Sequence, residues 1–394
     1  FLSTPLVQLV TGSLFIENYL ALMVTGALLA TAVGREQHDT RWTAAASVLC
    51  GAALASKFGA LSLIVPVMVL LIASIGPNWR ARAACTGLFL AFGIHPYLNA
   101  WIRTGNPLFP FLNQIFHSPQ FALEPLLDPR FREGVNWRSL YDATFHTSRF
   151  LESQDGALGL SYLVLLPMTL IAFRRTWPWL GKAALLVSTI GFVLIFAVQS
   201  NARYLYPALP LSLIAVGASW QLVRKLDTRL HLAMLAVTLA TVLTSAYLLP
   251  SSGWYHKDFA WNPLNKSKAS AYLEYHAPGR LMVSWLNQNR SGEPVAFLVN
   301  GQSAGLQARA YLNSWHTDPF YRALGSAQNA TEAAELLRKR GIFNVIAPMP
   351  QRSGELPQAA LRDLVQNCLE TQFIVNGYFA GRLSGTCLHS SGRQ

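Results

Sequence analysis

Residues 174–229 read RRTWPWLGKAALLVSTIGFVLIFAVQSNARYLYPALPLSLIAVGASWQLVRKLDTR. Two apolar runs, at about 181–199 and 204–223, flank the polar turn Gln199-Ser200-Asn201-Ala202-Arg203. Basic residues stand at the far ends: Arg174, Arg175 and Lys182 before, Arg224, Lys225 and Arg229 after. Each run has about the 20 apolar residues that a helix needs to cross the hydrocarbon core of a bilayer. Lys and Arg placed in short connections between such runs are topology signals that stay on the cytoplasmic side.

The pattern continues in both directions. Further apolar runs lie at about 13–33, 42–57, 58–75, 82–101, 157–173 and 230–249, which makes about eight expected spans. The second and third are broken only by Ser56-Lys57-Phe58-Gly59, so a tight helical hairpin with Lys57 at its tip is expected, one bent helix being the alternative. The connections 34–42, 76–82, 174–182 and 224–229 hold ten basic residues, the remaining ones being Arg35, Arg41, Arg80 and Arg82. They are alternate connections and fall on one side, the cytoplasmic one. The opposite side receives the Lys57 tip, the long loop 102–156, the Gln199–Arg203 turn and everything after about 250.

Composition agrees. The 394 residues are 52% hydrophobic and 13% charged, against about 25% charged in a soluble domain. The apolar runs are confined to 1–250, and 251–394 reads as soluble sequence, so a membrane region and a soluble region are expected. The net charge of +12 is dispersed among the connections rather than gathered on a face, which argues against a nucleic-acid partner. The chain opens Phe1-Leu2-Ser3, with neither Met nor a basic leader, so additional sequence before it is expected.

The outer loop 102–156 mixes aromatic and polar residues, including Phe116, Phe121, Phe131, Trp137, Tyr141, Phe145 and Phe150, as short helices at a membrane interface do. In the tail, Pro294–Val299 and Ile342–Ala347 read as strands, joined through a helix from Thr331, as N-cap, to Arg340. A small extracytoplasmic α/β domain with a short parallel sheet is therefore expected. A hairpin follows around Asn376-Gly377. It sets Cys368 nearly opposite Cys387, so a disulfide is expected in an oxidising compartment, two buried thiols being the alternative. Cys50 and Cys85 lie in apolar runs as packing residues.

No GxSxG, Walker, HExxH, DxD or GxGxxG motif is present, and the nine histidines lack ligand spacing. The signal that remains is charge at the outer membrane border: Glu17 beside Asn18, Lys57, and Arg203 followed by Tyr204. Ionisable groups at such depth are costly and often functional. Lys and Arg there stand at phosphate level, the guanidinium as a two-pronged donor and the ammonium as a point charge. Each has a simpler reading: Lys57 and Arg203 as snorkelling side chains, Glu17 as the partner of a helix N-terminus. His95 before Pro96 reads as a packed or interfacial histidine, and Asn106 before Pro107 as a turn former.

In order along the chain, Phe15-Ile16-Glu17-Asn18, Ala55-Ser56-Lys57-Phe58, Thr104-Gly105-Asn106-Pro107-Leu108-Phe109-Pro110-Phe111 and Asn201-Ala202-Arg203-Tyr204-Leu205-Tyr206-Pro207-Ala208-Leu209-Pro210 precede an α/β tail. This order, over nearly the whole length, resembles bacterial members of the GT-C superfamily of membrane glycosyltransferases, the glycosyltransferase-39-like and protein mannosyltransferase-like enzymes. The resemblance implies a multi-pass protein of the bacterial inner membrane. It also implies transfer of a sugar from a polyprenyl-phosphate donor to an extracytoplasmic lipid, glycan or protein acceptor. The family's catalytic aspartate lies in a first outer loop near the N-terminus; this chain is expected to begin after that loop, so the base is expected upstream and no catalytic residue is assigned here. Lys57, Arg203 and Tyr204 are then candidates for the donor phosphate, and Glu17 and Asn18 for the acceptor or a divalent metal. Asn106 and His95 are outer-loop candidates. The alternatives are an O-antigen polymerase or ligase, and a non-enzymatic transporter or scaffold.

Overall fold

A computed structural model describes the chain except for residues 12–14, 127–129, 152–153, 172–176, 253–265, 300–302, 386 and 388–394. Two compact units result: 1–112 with 126–259, and 113–125 with 260–394.

The first unit is helical. Its helices are α1 (Pro5–Thr11), α2 (Glu17–Gln37), α3 (Thr40–Ser56), α4 (Leu61–Ser74), α5 (Trp79–Gly93) and α6 (His95–Thr104). The short α7 (Asn113–Phe116) belongs to the second unit. The first unit continues with α8 (Ser139–Phe145), α9 (Ser161–Ile171), α10 (Trp179–Val198), α11 (Leu209–Leu226) and α12 (Thr228–Tyr247). Among the described residues, four helices are long and apolar enough to cross a membrane: α2, α10, α12, and α11 with the 3₁₀ segment that leads into it, over Ala202–Lys225. The structure thus supports four of the about eight expected spans by length and composition. Three of the other expected spans are shorter helices: α3 has 17 residues, α4 has 14 and α5 has 15; the expected span at 157–173 runs into residues outside the described ones. At about 1.5 Å per residue, 17 residues reach only about 25 Å. The reasons are local. The second and third runs are cut at Lys57, whose extended backbone (φ −160°, ψ 128°) excludes one bent helix. The fourth is cut at Ile94, because Pro96 has no N–H to continue the ladder from α5.

Three of the four basic connections are turns between helices. Asp39 accepts from the Arg41 N–H to cap α3, Asn78 caps α5, and Asp227 caps α12 through the Arg229 and Leu230 N–H groups. Arg174 and Arg175 lie outside the described residues. The Arg35 guanidinium sits 5.3 Å from the Trp179 ring centroid, which brings the end of α2 and the start of α10 together.

Packing is that of a membrane bundle. Ala27, Ala53, Ala183, Ala184 and Ala215 fill the interior of α2, α3, α10 and α11, while Leu22, Val69 and Leu243 on the outside are 70%, 60% and 62% exposed. Lipid is as apolar as leucine, so close contact between small residues, rather than expulsion of apolar surface from water, holds such helices together. The α3–α5 crossing shows this most clearly: a Cβ on Gly51 would stand 2.5 Å from the Phe89 carbonyl oxygen and 3.0 Å from Phe92 Cβ. Gly51→Ala is therefore expected to destabilise the protein by about 1–3 kcal/mol. Thermal unfolding of the detergent-solubilised chain checks this, and an unchanged midpoint would show that the two helices can part freely.

The second unit is α/β. Helices α13 (Lys266–His276) and α14 (Pro278–Asn289) precede β1 (Val295–Phe297), β2 (Ala310–Leu312), α15 (Asp318–Gly325), α16 (Ala330–Lys339), β3 (Asn344–Pro348), α17 (Ala359–Asn367), β4 (Leu369–Val375) and β5 (Tyr378–Leu383). The strand order is β2-β1-β3-β5-β4, with β2, β1 and β3 parallel and the β5–β4 hairpin antiparallel. Alternation along the strands buries both faces. Ala296, Val345 and Phe379 pack with residues of α15, α16 and α17, while Val295, Phe297, Ile346 and Ala380 pack with Met282 and Leu286 of α14.

The expected parallel β1–β3 pair is present, as is the hairpin, where Asn376 and Gly377 both take positive φ (43° and 78°). Its open end carries the Cys368–Cys387 disulfide, with Cα atoms 5.2 Å apart. The expected cap is corrected: Asn329, not Thr331, caps α16 by accepting from the Glu332 N–H. The cap thus lies two positions before the expected one.

Candidate functional site

Helix ends set the geometry of the site. Glu17 is the first residue of α2, Lys57 stands in the break between α3 and α4, and Arg203 opens the 3₁₀ segment before α11. These ends meet. Lys57 Nζ donates to Glu17 Oε1 at 2.8 Å, and Arg203 Nε lies 3.4 Å from the same oxygen. The Glu17 side chain is only 3% exposed, against 28% for Lys57 and 21% for Arg203. A carboxylate so thoroughly removed from water requires compensating charge, and here two cations face one anion. The group carries a net charge of +1.

Local structure explains each position. Helix α3 ends when Lys57 turns to extended backbone, its N–H still donating to Ala53 O; the side chain is thereby directed to Glu17. Phe58 follows and stacks at 5.9 Å on Phe111 and edge-on at 6.5 Å against Tyr97, which ties the Lys57 break to the start of the outer loop. Asn201 accepts from the Arg203 N–H and starts the 3₁₀ segment. Pro207, inside the 3₁₀ segment, lacks the N–H that an α-helix running through it would need, whereas Pro210 stands in the first turn of α11, where no N–H partner is required.

Aromatic rings fix the cations. Lys57 Nζ lies 4.0 Å from the Tyr204 centroid, and Arg203 Cζ lies 4.2 Å from Phe15 and 5.3 Å from Tyr204. With Nε turned to Glu17, the terminal nitrogens of Arg203 have no hydrogen-bond or ion-pair partner among the described residues. An edge of this kind can bind two oxygens of a phosphate.

Asn18 accepts a short hydrogen bond from the Tyr206 hydroxyl and donates to Val10 O at 3.4 Å. Side chains three apart in a 3₁₀ helix eclipse, so Arg203 and Tyr206 address Glu17 and Asn18 side by side. Phe15 and Tyr206 are the residues that sequence reasoning did not single out, although both stand in the quoted motifs; the three-residue period after Asn201 was the available signal.

The outer-loop candidates fall elsewhere. Asn106 is fully buried and serves its own turn, its Oδ1 accepting from the Leu108 N–H and its Nδ2 donating to Phe111 O, each at 2.9 Å. His95 opens α6, is exposed, and takes no part in the Glu17 group. No set of three His, Cys, Asp or Glu that could hold a metal exists among the described residues. Glu17 is also a poor metal ligand, because its Oε1 already faces two cations.

No protein-family profile matches the chain, and no curated protein is similar to it. The architecture defines a helical protein with four helices able to cross a membrane and a small C-terminal sheet region.

Proposed function

We propose that this protein transfers a sugar from a polyprenyl-phosphate donor to an acceptor outside the cytoplasmic membrane. The observation that carries the reading is the meeting of Lys57 and Arg203 on one buried carboxylate, with a guanidinium edge that has no partner among the described residues. Such a group binds a lipid-linked phosphate and, in surroundings of low dielectric, stabilises the charge that grows on it as the glycosidic bond breaks. Lys57 supplies a point charge, Arg203 a planar fork, and Tyr204 a ring against which both are held. Glu17 positions the two cations. Asn18, next to Glu17 in sequence and held by Tyr206, is a neutral polar side chain for an acceptor hydroxyl. No residue is assigned as the base.

The direct test supplies radiolabelled polyprenyl-phosphate sugar to membranes containing the full chain. Label passing into an acceptor supports the reading. No transfer from donors carrying several different sugars would remove it.

The associated topology places 76–82 in the cytoplasm and 102–156 outside. A single cysteine at Trp137, which is 92% exposed, is expected to react with an impermeant maleimide added to intact cells; one at Trp79, 69% exposed, is expected to react only after lysis. The reverse pattern would invert the orientation and detach the site from an extracytoplasmic donor.

A further inference from the structure

The C-terminal unit contains a crevice of about 640 Å³ that is separate from the Glu17 group. Its place follows from topology. Strands β2, β1 and β3 are parallel, so their carboxyl ends share one edge of the sheet. From β1 the chain passes to β2 on one side; from β3 it leaves on the other, through the 3₁₀ segment Pro350–Glu355. Neighbouring strands whose connections depart in opposite directions leave a gap at the carboxyl edge, and open α/β sheets bind ligands in that gap. The crevice is lined there by Leu298 and Val299 after β1, Asn313 after β2, and Arg352 and Glu355 after β3. The reversed strand β5 begins at the same edge and adds Tyr378.

The lining chemistry narrows the ligand. Arg352 Nε donates to Glu355 Oε1 at 2.7 Å, and its guanidinium lies 4.9 Å from the Tyr378 centroid. This pair cancels, so the wall offers no surplus charge to a phosphate or a carboxylate. Tyr275 and Tyr321 add further ring faces. Asn313 Oδ1 is buried and lacks a hydrogen-bond partner among the described residues. Orphaned acceptors are rare in native proteins and require an explanation; a donor inside the crevice provides one. Ring faces, a self-neutralising charged pair and an unsatisfied amide suit a ring with an apolar C–H face and hydroxyls at its edge. The volume is within the range of small-molecule sites, about 300–1,000 Å³.

We propose that this crevice binds a neutral saccharide and, resting on the glycosyltransferase reading, that it is where the acceptor glycan is held. The test is saturation-transfer NMR on the full chain in detergent micelles, with maltotriose, mannotriose and chitotriose as probes. Saturation transfer to at least one of the three is expected, with binding weakened about fivefold by Tyr321→Ala, the loss of one ring face, and also weakened by Asn313→Ala. Tyr321 is 39% exposed, so its truncation leaves the core intact. Transfer to none of the three probes, or the same binding in both variants, overturns the saccharide site. In the sugar-transfer assay, Tyr321→Ala is expected to raise the KM for acceptor while preserving kcat, as loss of uniform binding does. An unchanged KM overturns the acceptor assignment. Saccharide binding by a protein that transfers no sugar would remove the glycosyltransferase reading and leave the crevice standing.

Discussion

If the protein transfers sugar as proposed, Arg203→Ala is expected to lower that transfer by about tenfold to a hundredfold. A hydrogen bond from a charged group contributes about 1.5–3 kcal/mol, and each 1.4 kcal/mol lost from the transition state is about a factor of ten. On the proposed reading, the departing phosphate meets the edge of this guanidinium that has no partner among the described residues. Its orientation is fixed on one side by Glu17 Oε1 and on the faces by Phe15 and Tyr204. Arg203→Lys keeps the charge and loses the fork, so partial recovery is expected. If the effect is on the transition state, kcat falls while the KM for donor changes little. The comparison uses membranes with matched amounts of each variant. Full activity in Arg203→Ala would remove this residue from the site.

Glu17→Gln is expected to destabilise the first unit by about 2–4 kcal/mol, somewhat less than the loss of a partner from a fully buried pair, because Lys57 and Arg203 keep some exposure. The amide preserves the shape and removes the only carboxylate in contact with either cation among the described residues. Lys57 and Arg203 would then repel each other at close range, and the ends of α2, α3 and α11 would lose their common partner. Lys57→Gln is expected to cost less, because Arg203 still faces Glu17. The double variant should then be more stable than the sum of the single losses predicts, since neither leaves the other's charge stranded. Thermal unfolding of the solubilised protein measures all three. Equal stability of Glu17→Gln and the parent would mean that the ion group does not hold the helix ends together. Transfer activity of Glu17→Gln is expected to fall with the misplacement of both cations, even at a temperature where the variant is folded.

Much of the local structure was legible from short stretches. The apolar runs at 181–199 and 204–223 became helices because their composition admits little else, and the turn between them stayed polar. Lys57 broke the long run at 42–75 as its charge suggested. Asn376-Gly377 made the hairpin because both residues tolerate positive φ. The disulfide partners followed from the register of that hairpin. Where local reasoning erred, near neighbours competed. Asn329 outbid Thr331 for the cap of α16, both being good caps two positions apart. Pro96 divided a run that hydropathy alone presented as one span.

What the sequence by itself determined is the set of apolar helices, the basic turns that separate them, the chemistry of Glu17, Lys57, Arg203 and Tyr204, and a mixed α/β end. These depend on periodicity, charge and turn chemistry within about one element's length, which residue order states directly. Only the tertiary structure decided that Glu17 is the shared partner of both cations, that Phe15 and Tyr206 belong with them, that Asn106 is occupied by its own turn, and that a crevice opens between β1 and β3. Each of these depends on which helix ends or strand edges meet. That outcome is set by the packing of whole elements, such as the close approach of α3 to α5 at Gly51, and no single stretch of sequence contains both sides of such a contact.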